Sequence, residues 1–574
     1  MNALRRFWLI SVVALLVVAL GIAPAMAQSE LPREETLVIA GFQWGPPSTF
    51  NPLASNVTWP AGGRHQLVYE NLFAFNLLNG GLDPVLGASL EYTDETTAVV
   101  TLQDGTHFQD GEVLDSEDVV FSYELARDHD DLSYSSLFDY ITGVTALDDR
   151  TIQFDLNPDQ LNIGFFENFL TRIRILPEHI WAERAAGDTP LSSVEEDVPV
   201  GSGPYTVMDF GIERVVMERD DNYWGMDVYG TPAPTYLLHP IFNSNDEANL
   251  AFQRGEVDVS QTFIPQIWRM AESGAPVHTW LNEEPYYLPG TIPFLHINAT
   301  VPGLDNVDVR RALAHAINYP LIAATAMSNY SIPAQASLII PSGGEEQYFD
   351  AEAVEAEGWE YNPDEARRIL EEDAGATMGS DGIYVLPDGT RLGPYTAMAT
   401  FGWTDWVAAI ELVAQSAQEI GIDVTTEYPE QPVIISRRNN GDFDLLIWSL
   451  DQGGSSPAAP WGRFRDALDD RGVPDFGETA FWNWSRFSNA EVPDLLDAAA
   501  ASTDPAEKAE LFSQLDSIYR QNIPLIPLMY RPFEFYEFNE THWTGFPTAD
   551  NPYASPLPEG SGFQMLYGIT PVGQ

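Results

Sequence analysis

Short apolar runs, turn dipeptides and amphipathic stretches alternate along most of the chain. The run Leu37-Val38-Ile39-Ala40, ended by Gly41, predicts a buried strand. Residues 97–102 alternate toward a turn at Asp104-Gly105. His107-Phe108 then leads to a second turn at Asp110-Gly111, a pattern of antiparallel hairpins. Ser116 is expected to cap a helix, because Glu117 and Asp118 put acids in the first turn ahead of Val119, Val120, Phe121 and Leu125. Residues 151–156, 205–210 and 214–218 read as strands. Residues 249–254 read as a helix stopped by Gly255, with 257–259 as the next strand.

In the second half, 294–298 predicts a strand and 308–317 has helical periodicity. Asn362-Pro363 opens another helix, with Asn at the cap and Pro at the first position. Residues 406–420 form a long amphipathic helix closed by Gly421, between strands at 423–425 and 443–448. This alternation over 360–450 predicts an α/β unit with parallel pairing. A helix over 494–519 precedes the apolar run 523–528. Residues 186–204, rich in small, acidic and turn residues, read as a connector.

The N-terminus is a targeting segment. Arg5 and Arg6 precede the mostly apolar run 7–23, and Ala25-Met26-Ala27 offers a small-x-small cut before Gln28. Residues 1–27 are therefore expected to be a signal peptide, with a retained anchor as the alternative reading of so short a run. The mature part is expected in the periplasm or at the outer face of the cytoplasmic membrane.

Composition narrows the function. The 574 residues are 44% hydrophobic, 12% aromatic and 20% charged, an ordinary globular profile with room for two to four domains. The formal net charge of −58 repels phosphate and so excludes nucleic acid and anionic membranes as partners. With no cysteine, the chain has no disulfide, thiolate metal site, catalytic thiol or lipid anchor through cysteine. Lys508 is the single lysine; the other basic residues are arginine. The nine histidines are scattered, and Asp128-His129-Asp130-Asp131 reads as a solvated acidic loop, so no metal and no cofactor is expected.

A colinear series of motifs carries a family resemblance. It runs from Thr49-Phe50-Asn51-Pro52-Leu53 and Tyr69-Glu70-Asn71-Leu72-Phe73 to His107-Phe108-Gln109-Asp110-Gly111 and Ser116-Glu117-Asp118-Val119-Val120-Phe121. It continues through Pro199-Val200-Gly201-Ser202-Gly203-Pro204-Tyr205, Asp221-Asn222-Tyr223-Trp224, Arg254-Gly255-Glu256-Val257-Asp258 and Val309-Arg310-Arg311-Ala312-Leu313-Ala314-His315. In these blocks the chain resembles the extracellular solute-binding proteins of ABC importers, in the group that binds oligopeptides, dipeptides, nickel complexes and some oligosaccharides. The resemblance implies an α/β, two-lobed periplasmic-binding-protein fold of type II, with an extra subdomain in lobe one and a hinge between the lobes. By analogy lobe one combines 34–58, 200–283 and 526–574, its subdomain spans 59–199, and lobe two spans 284–525. The implied partners are a small-molecule ligand and the membrane permease subunits, and the implied state is a monomer.

Tryptophan usage points to the ligand. Of 15 tryptophans, Trp403, Trp406, Trp448, Trp461, Trp482 and Trp484 cluster in the second half. A flat indole packs against the C–H face of a sugar ring, and acids, amides and arginines bind the hydroxyl rim. The candidate ligand-binding residues are accordingly Trp44, Asn51, Trp403, Asp405, Trp406, Trp448, Asp451, Trp461, Trp484 and Arg486. Each of these tryptophans also suits a buried core. Trp403-Thr404-Asp405-Trp406 is similar to a motif of the oligosaccharide-binding branch, whereas Trp448-Ser449-Leu450-Asp451 keeps the Trp-x-x-Asp spacing of peptide binders. Oligosaccharide and oligopeptide both stay open at this stage. No nucleophile elbow, zinc motif or phosphate-binding loop occurs, so the expected function is capture without catalysis. The alternatives are a secreted glycoside hydrolase and a ligand sensor of the same fold.

Overall fold

In the computed structural model, the residues described are 31–40, 49–54, 67–242, 244–450, 456–502, 504–556 and 560–573. Residues 1–27, the expected signal peptide, lie outside them. No helix among the described residues is long and apolar enough to cross a membrane.

Three sheets organise the chain. The first has seven strands in the order Val277–Thr279, Glu537–Asn539, Val259–Ser260, Thr36–Ala40, Tyr236–Pro240, Arg214–Arg219, Tyr205–Phe210. The strand Thr36–Ala40 is buried along its whole length and pairs in parallel with two neighbours, as its unbroken apolar run requires. The second sheet orders four antiparallel strands, Gly87–Asp94, Thr97–Leu102, Thr151–Leu156 and Ile141–Asp148. The third orders Val424–Glu427, Tyr395–Met398, Leu445–Ser449, Pro293–Ile297 and Leu525–Pro527. The parallel pairing expected over 360–450 is present, since Tyr395–Met398 pairs in parallel with both of its neighbours.

Local chemistry explains where elements start and stop, and where the sequence reading needs correction. The cap of the helix Ser116–Asp128 is Asp115, one residue earlier than expected. Asp115 and Asp118 form a reciprocal capping box, which leaves Ser116 free to donate to the Asp148 carbonyl at 2.6 Å. The single helix expected over 494–519 is two helices, Val492–Ala501 and Pro505–Asn522. Asp504 caps the second and Pro505 lacks the N–H needed to continue the first. Asp258 does not extend a strand over 257–259, because its carboxylate accepts from Arg33 at 2.6 Å and from the Val38 N–H at 2.8 Å. At the end of the connector, Gly201 lies so close to the chain at Val68 that a Cβ there would meet the Val68 carbonyl oxygen at 1.9 Å.

Two segments cross between the first and third sheets, at 280–292 and 528–536. They pair with each other: the Gly290 and Thr291 N–H groups both donate to the Arg531 carbonyl at 2.9 Å, and the Arg531 N–H donates to the Thr291 carbonyl at 3.0 Å. Tyr287, on the first crossing, donates its hydroxyl to Glu537 at 2.8 Å and packs edge-on against Tyr330 and Phe535. The four-stranded unit also reaches the third-sheet side of the molecule. Its helix Ile163–Arg172 places Asn168 at 2.9 Å from the Ser456 hydroxyl and Phe165 edge-on to Trp461.

The four-stranded unit is braced to the first sheet by Glu70. Its carboxylate accepts from the Tyr223 hydroxyl at 2.6 Å and the Trp224 indole at 2.9 Å, and burial lifts its pKa from 4.5 to about 7 despite these donors. The folded state therefore holds a proton that the unfolded chain has released between those values, and stability falls as pH rises through that window. Glu70→Gln removes this slope. Chemical denaturation from pH 4.5 to 7.5 is expected to show the wild type losing on the order of 3 kcal/mol relative to Glu70→Gln.

Candidate functional site

The strands Tyr395–Met398 and Leu445–Ser449 run parallel, so their C-terminal ends open on one edge of the third sheet. Leu445–Ser449 is also antiparallel to Pro293–Ile297, so the pairing sense changes here. Crevices outside the carboxyl ends of strands, at such a switch, are where open α/β sheets hold ligands. Trp448 is the penultimate residue of its strand. The loop after Tyr395–Met398 ends in Trp403, the N-cap residue of the helix Thr404–Glu419, and Trp406 follows in the first turn.

These three indoles form one aromatic wall. Trp403 stacks on Trp448 with ring centres 5.7 Å apart and planes inclined by 27°, and Trp406 meets both edge-on, at 4.6 and 5.5 Å. Trp406 and Trp448 are buried, whereas Trp403 remains half-buried. The Trp406 Nε1 and Thr400 Oγ1 atoms are buried and lack a hydrogen-bond partner among the described residues. The helix Asn245–Gln253, which belongs with the first sheet, faces this wall: Asn245 donates to the Thr404 hydroxyl at 3.5 Å. The wall therefore lies where the two large sheet units meet.

Two arginines that the sequence reading did not select hold the wall. Arg531, on the second crossing segment, donates through Nε to the buried Asp405 carboxylate at 2.9 Å and lies over the Phe535 ring. Arg438 lies between two indoles, 3.7 Å from the Trp484 ring centre and 4.7 Å from that of Trp448. Beneath them His296 bonds through Nε2 to the Trp448 carbonyl at 3.2 Å. Burial, and then the Arg438 charge, push its pKa down to about 3, so the ring stays neutral and donates to that carbonyl.

The candidates divide accordingly. Trp403, Asp405, Trp406 and Trp448 come together. Trp44 and Asp451 lie outside the described residues. Asn51, Trp461, Trp484 and Arg486 are placed in the scaffold. The Asn51 amide donates to the Leu191 and Val194 carbonyls at 2.7 and 2.9 Å and accepts from the Leu53 N–H, which pins the connector. Trp461 donates to the Leu496 carbonyl at 2.8 Å. Trp484 is 1% exposed, covered by Arg438 and His296. Arg486 donates to the carbonyls of Pro474, Trp484, Asn439 and Glu478. Of the three gathered indoles Trp403 keeps the most exposed face, and Trp406 and Trp448 pack against it.

Residues 82–470 match the sequence family described as Bacterial extracellular solute-binding proteins, family 5 Middle. The chain is 25% identical over 523 residues to the glutathione-binding protein GsiB of Escherichia coli O1:K1 / APEC, covering 89% of this chain and 92% of that protein. It superposes with a TM-score of 0.86, at 30% identity, on a mannohexaose-bound periplasmic oligopeptide-binding protein from Thermotoga maritima, over 95% of this chain and 100% of that one. The oligopeptide-binding protein AppA from Bacillus subtilis, in complex with a nonapeptide, shares the fold at 20% identity, with a TM-score of 0.71 over 90% and 96% of the two chains.

Trp484→Ala is expected to destabilise the protein by about 3–5 kcal/mol in denaturant titrations, while Trp403→Ala, at a half-buried face, costs clearly less. Arg531→Met strands the buried Asp405 charge. A loss of about 3 kcal/mol is expected, largely restored in the Asp405→Asn, Arg531→Met double variant.

Proposed function

The chain belongs to the bacterial extracellular solute-binding proteins of family 5, solute-binding components of ABC importers rather than enzymes, and from that premise we propose that its ligand is an oligosaccharide. The observation that carries this reading is the stacked Trp403–Trp448 pair at the mouth of the third sheet, with the Trp403 face still half-open. An indole face matches the C–H face of a pyranose, and the surrounding polar groups match its hydroxyls. The Thermotoga maritima relative with mannohexaose bound, similar over 95% of this chain, supports the same class.

In this reading the protein is exported by residues 1–27, which are then removed. The ligand enters between lobes built on the first and third sheets, and the pair of crossing segments is the hinge on which they close. The closed form presents both lobes to the permease and releases the sugar unchanged. A short peptide is the second reading, favoured by the 25% identity to a glutathione-binding protein.

Ligand linkage tests the choice. At a hundredfold excess over Kd, a bound ligand adds about 2.7 kcal/mol to stability and raises the melting temperature. Manno-, cello- and xylo-oligosaccharides are to be screened beside di- to pentapeptides and glutathione. A shift with at least one sugar series and none with peptides is the expected outcome; a response to peptides alone replaces the carbohydrate reading with the second one.

A further inference from the structure

A cavity of about 180 Å³ lies where three distant parts of the chain meet. Residues 75–80 of the four-stranded unit form one side, Leu288 and Pro289 of the first crossing segment close the back, and residues 340–348 and 456–459 of the third-sheet unit form the other side. Gly80 and Gly344 face each other in its lining, where a Cβ on Gly344 would lie 3.6 Å from the Gly80 Cα, an ordinary contact distance. The cavity is roughly ten times the space that one ordered water needs. Ser456, in its wall, stands only eight residues beyond Trp448, so the Cα atoms of these two residues are at most about 29 Å apart.

Its lining is mixed in the way a sugar ring requires. Phe75, Tyr348 and Pro457 give apolar surface, and Asn79, Ser342 and Glu345 give polar groups. Glu345 is the unusual member. It is 7% exposed, and its Oε2 accepts both from the fully buried Arg463 guanidinium and from the Ile340 N–H at 2.9 Å. Its Oε1 is buried with no hydrogen-bond donor among the described residues, and Nη1 of its partner Arg463 is likewise buried without an acceptor. A buried carboxylate oxygen with no donor is costly, and a hydroxyl group entering the cavity supplies one.

We infer that this cavity is a second subsite of the ligand, one that takes a hydroxyl-bearing ring at the end of an oligosaccharide whose other units pack on the tryptophan wall. The inference rests on the carbohydrate reading above. Glu345 Oε1 accepts from a ring hydroxyl, and the apolar side chains cover the ring face. Because the walls belong to separate parts of the fold, an occupied cavity ties the four-stranded unit to the third-sheet unit. The subsite therefore selects for length: a sugar too short to reach both places gains from only one of them.

The test is isothermal titration of mannose, mannotriose and mannohexaose into the wild type and into Ser342→Trp, Glu345→Gln and Trp403→Ala. Ser342 is half-buried and its hydroxyl makes no cap hydrogen bond, so a tryptophan there fills the cavity without removing an interaction of the fold. Thermal melts establish that each variant is folded. The expected result is at least a tenfold loss of mannohexaose affinity in Ser342→Trp and in Glu345→Gln. Folded Ser342→Trp with mannohexaose affinity within twofold of wild type overturns the subsite. If Trp403→Ala still weakens binding in that case, the carbohydrate reading stands without it. A wild type that binds none of the three sugars, nor the cello- and xylo-series, overturns both.

Discussion

Arg531 ties the crossing segments to the aromatic wall. Its backbone pairs the two crossing segments, and its side chain leaves that pair to reach Asp405 at the start of the helix that carries Trp403 and Trp406. A single residue thus joins the place where the sheet units are connected to the place where the aromatic wall begins. The contact is a charge-assisted hydrogen bond with one partner almost fully withdrawn from water, so its loss cannot be made good by solvent.

The wall itself depends on charge as much as on apolar contact. Arg438 sits between Trp448 and Trp484 with His296 neutral below, so a single cation is shared between two aromatic faces. This fixes the plane of Trp448 and, through stacking, that of Trp403. In a chain of net charge −58, such interior arginines also counter an acidic surface that would otherwise repel itself. The interior pairs Glu345–Arg463 and Asp516–Arg520 have the same character.

Much of the scaffold was legible because it rests on local rules. Pro363 after Asn362, the alternation at 151–156 and the closure at Gly421 each act within a few residues. The errors were local competitions of the same kind, such as Asp115 taking the cap from Ser116 and Pro505 cutting one helix into two. The site was legible only in part, because facing depends on distant contacts. Trp482 and Trp484 lie in a loop with no period to give them a side, so the burial of Trp484 under Arg438 has no trace in the sequence. Arg531 partners a residue 126 positions away, and its one signal is a lone charge in an apolar stretch. The Glu345 cavity gathers residues from 75 to 459 and has no sequence signature at all.

Lys508 gives the composition a practical turn. The only lysine stands on the helix Pro505–Asn522, partly exposed, and its charge is felt by Glu167 on the helix Ile163–Arg172 of the four-stranded unit. Amine-directed dyes therefore have a single side-chain target in this chain, besides the α-amino terminus, and that side chain borders the seam between this helix and the four-stranded unit. A reporter on that side chain sits at this seam.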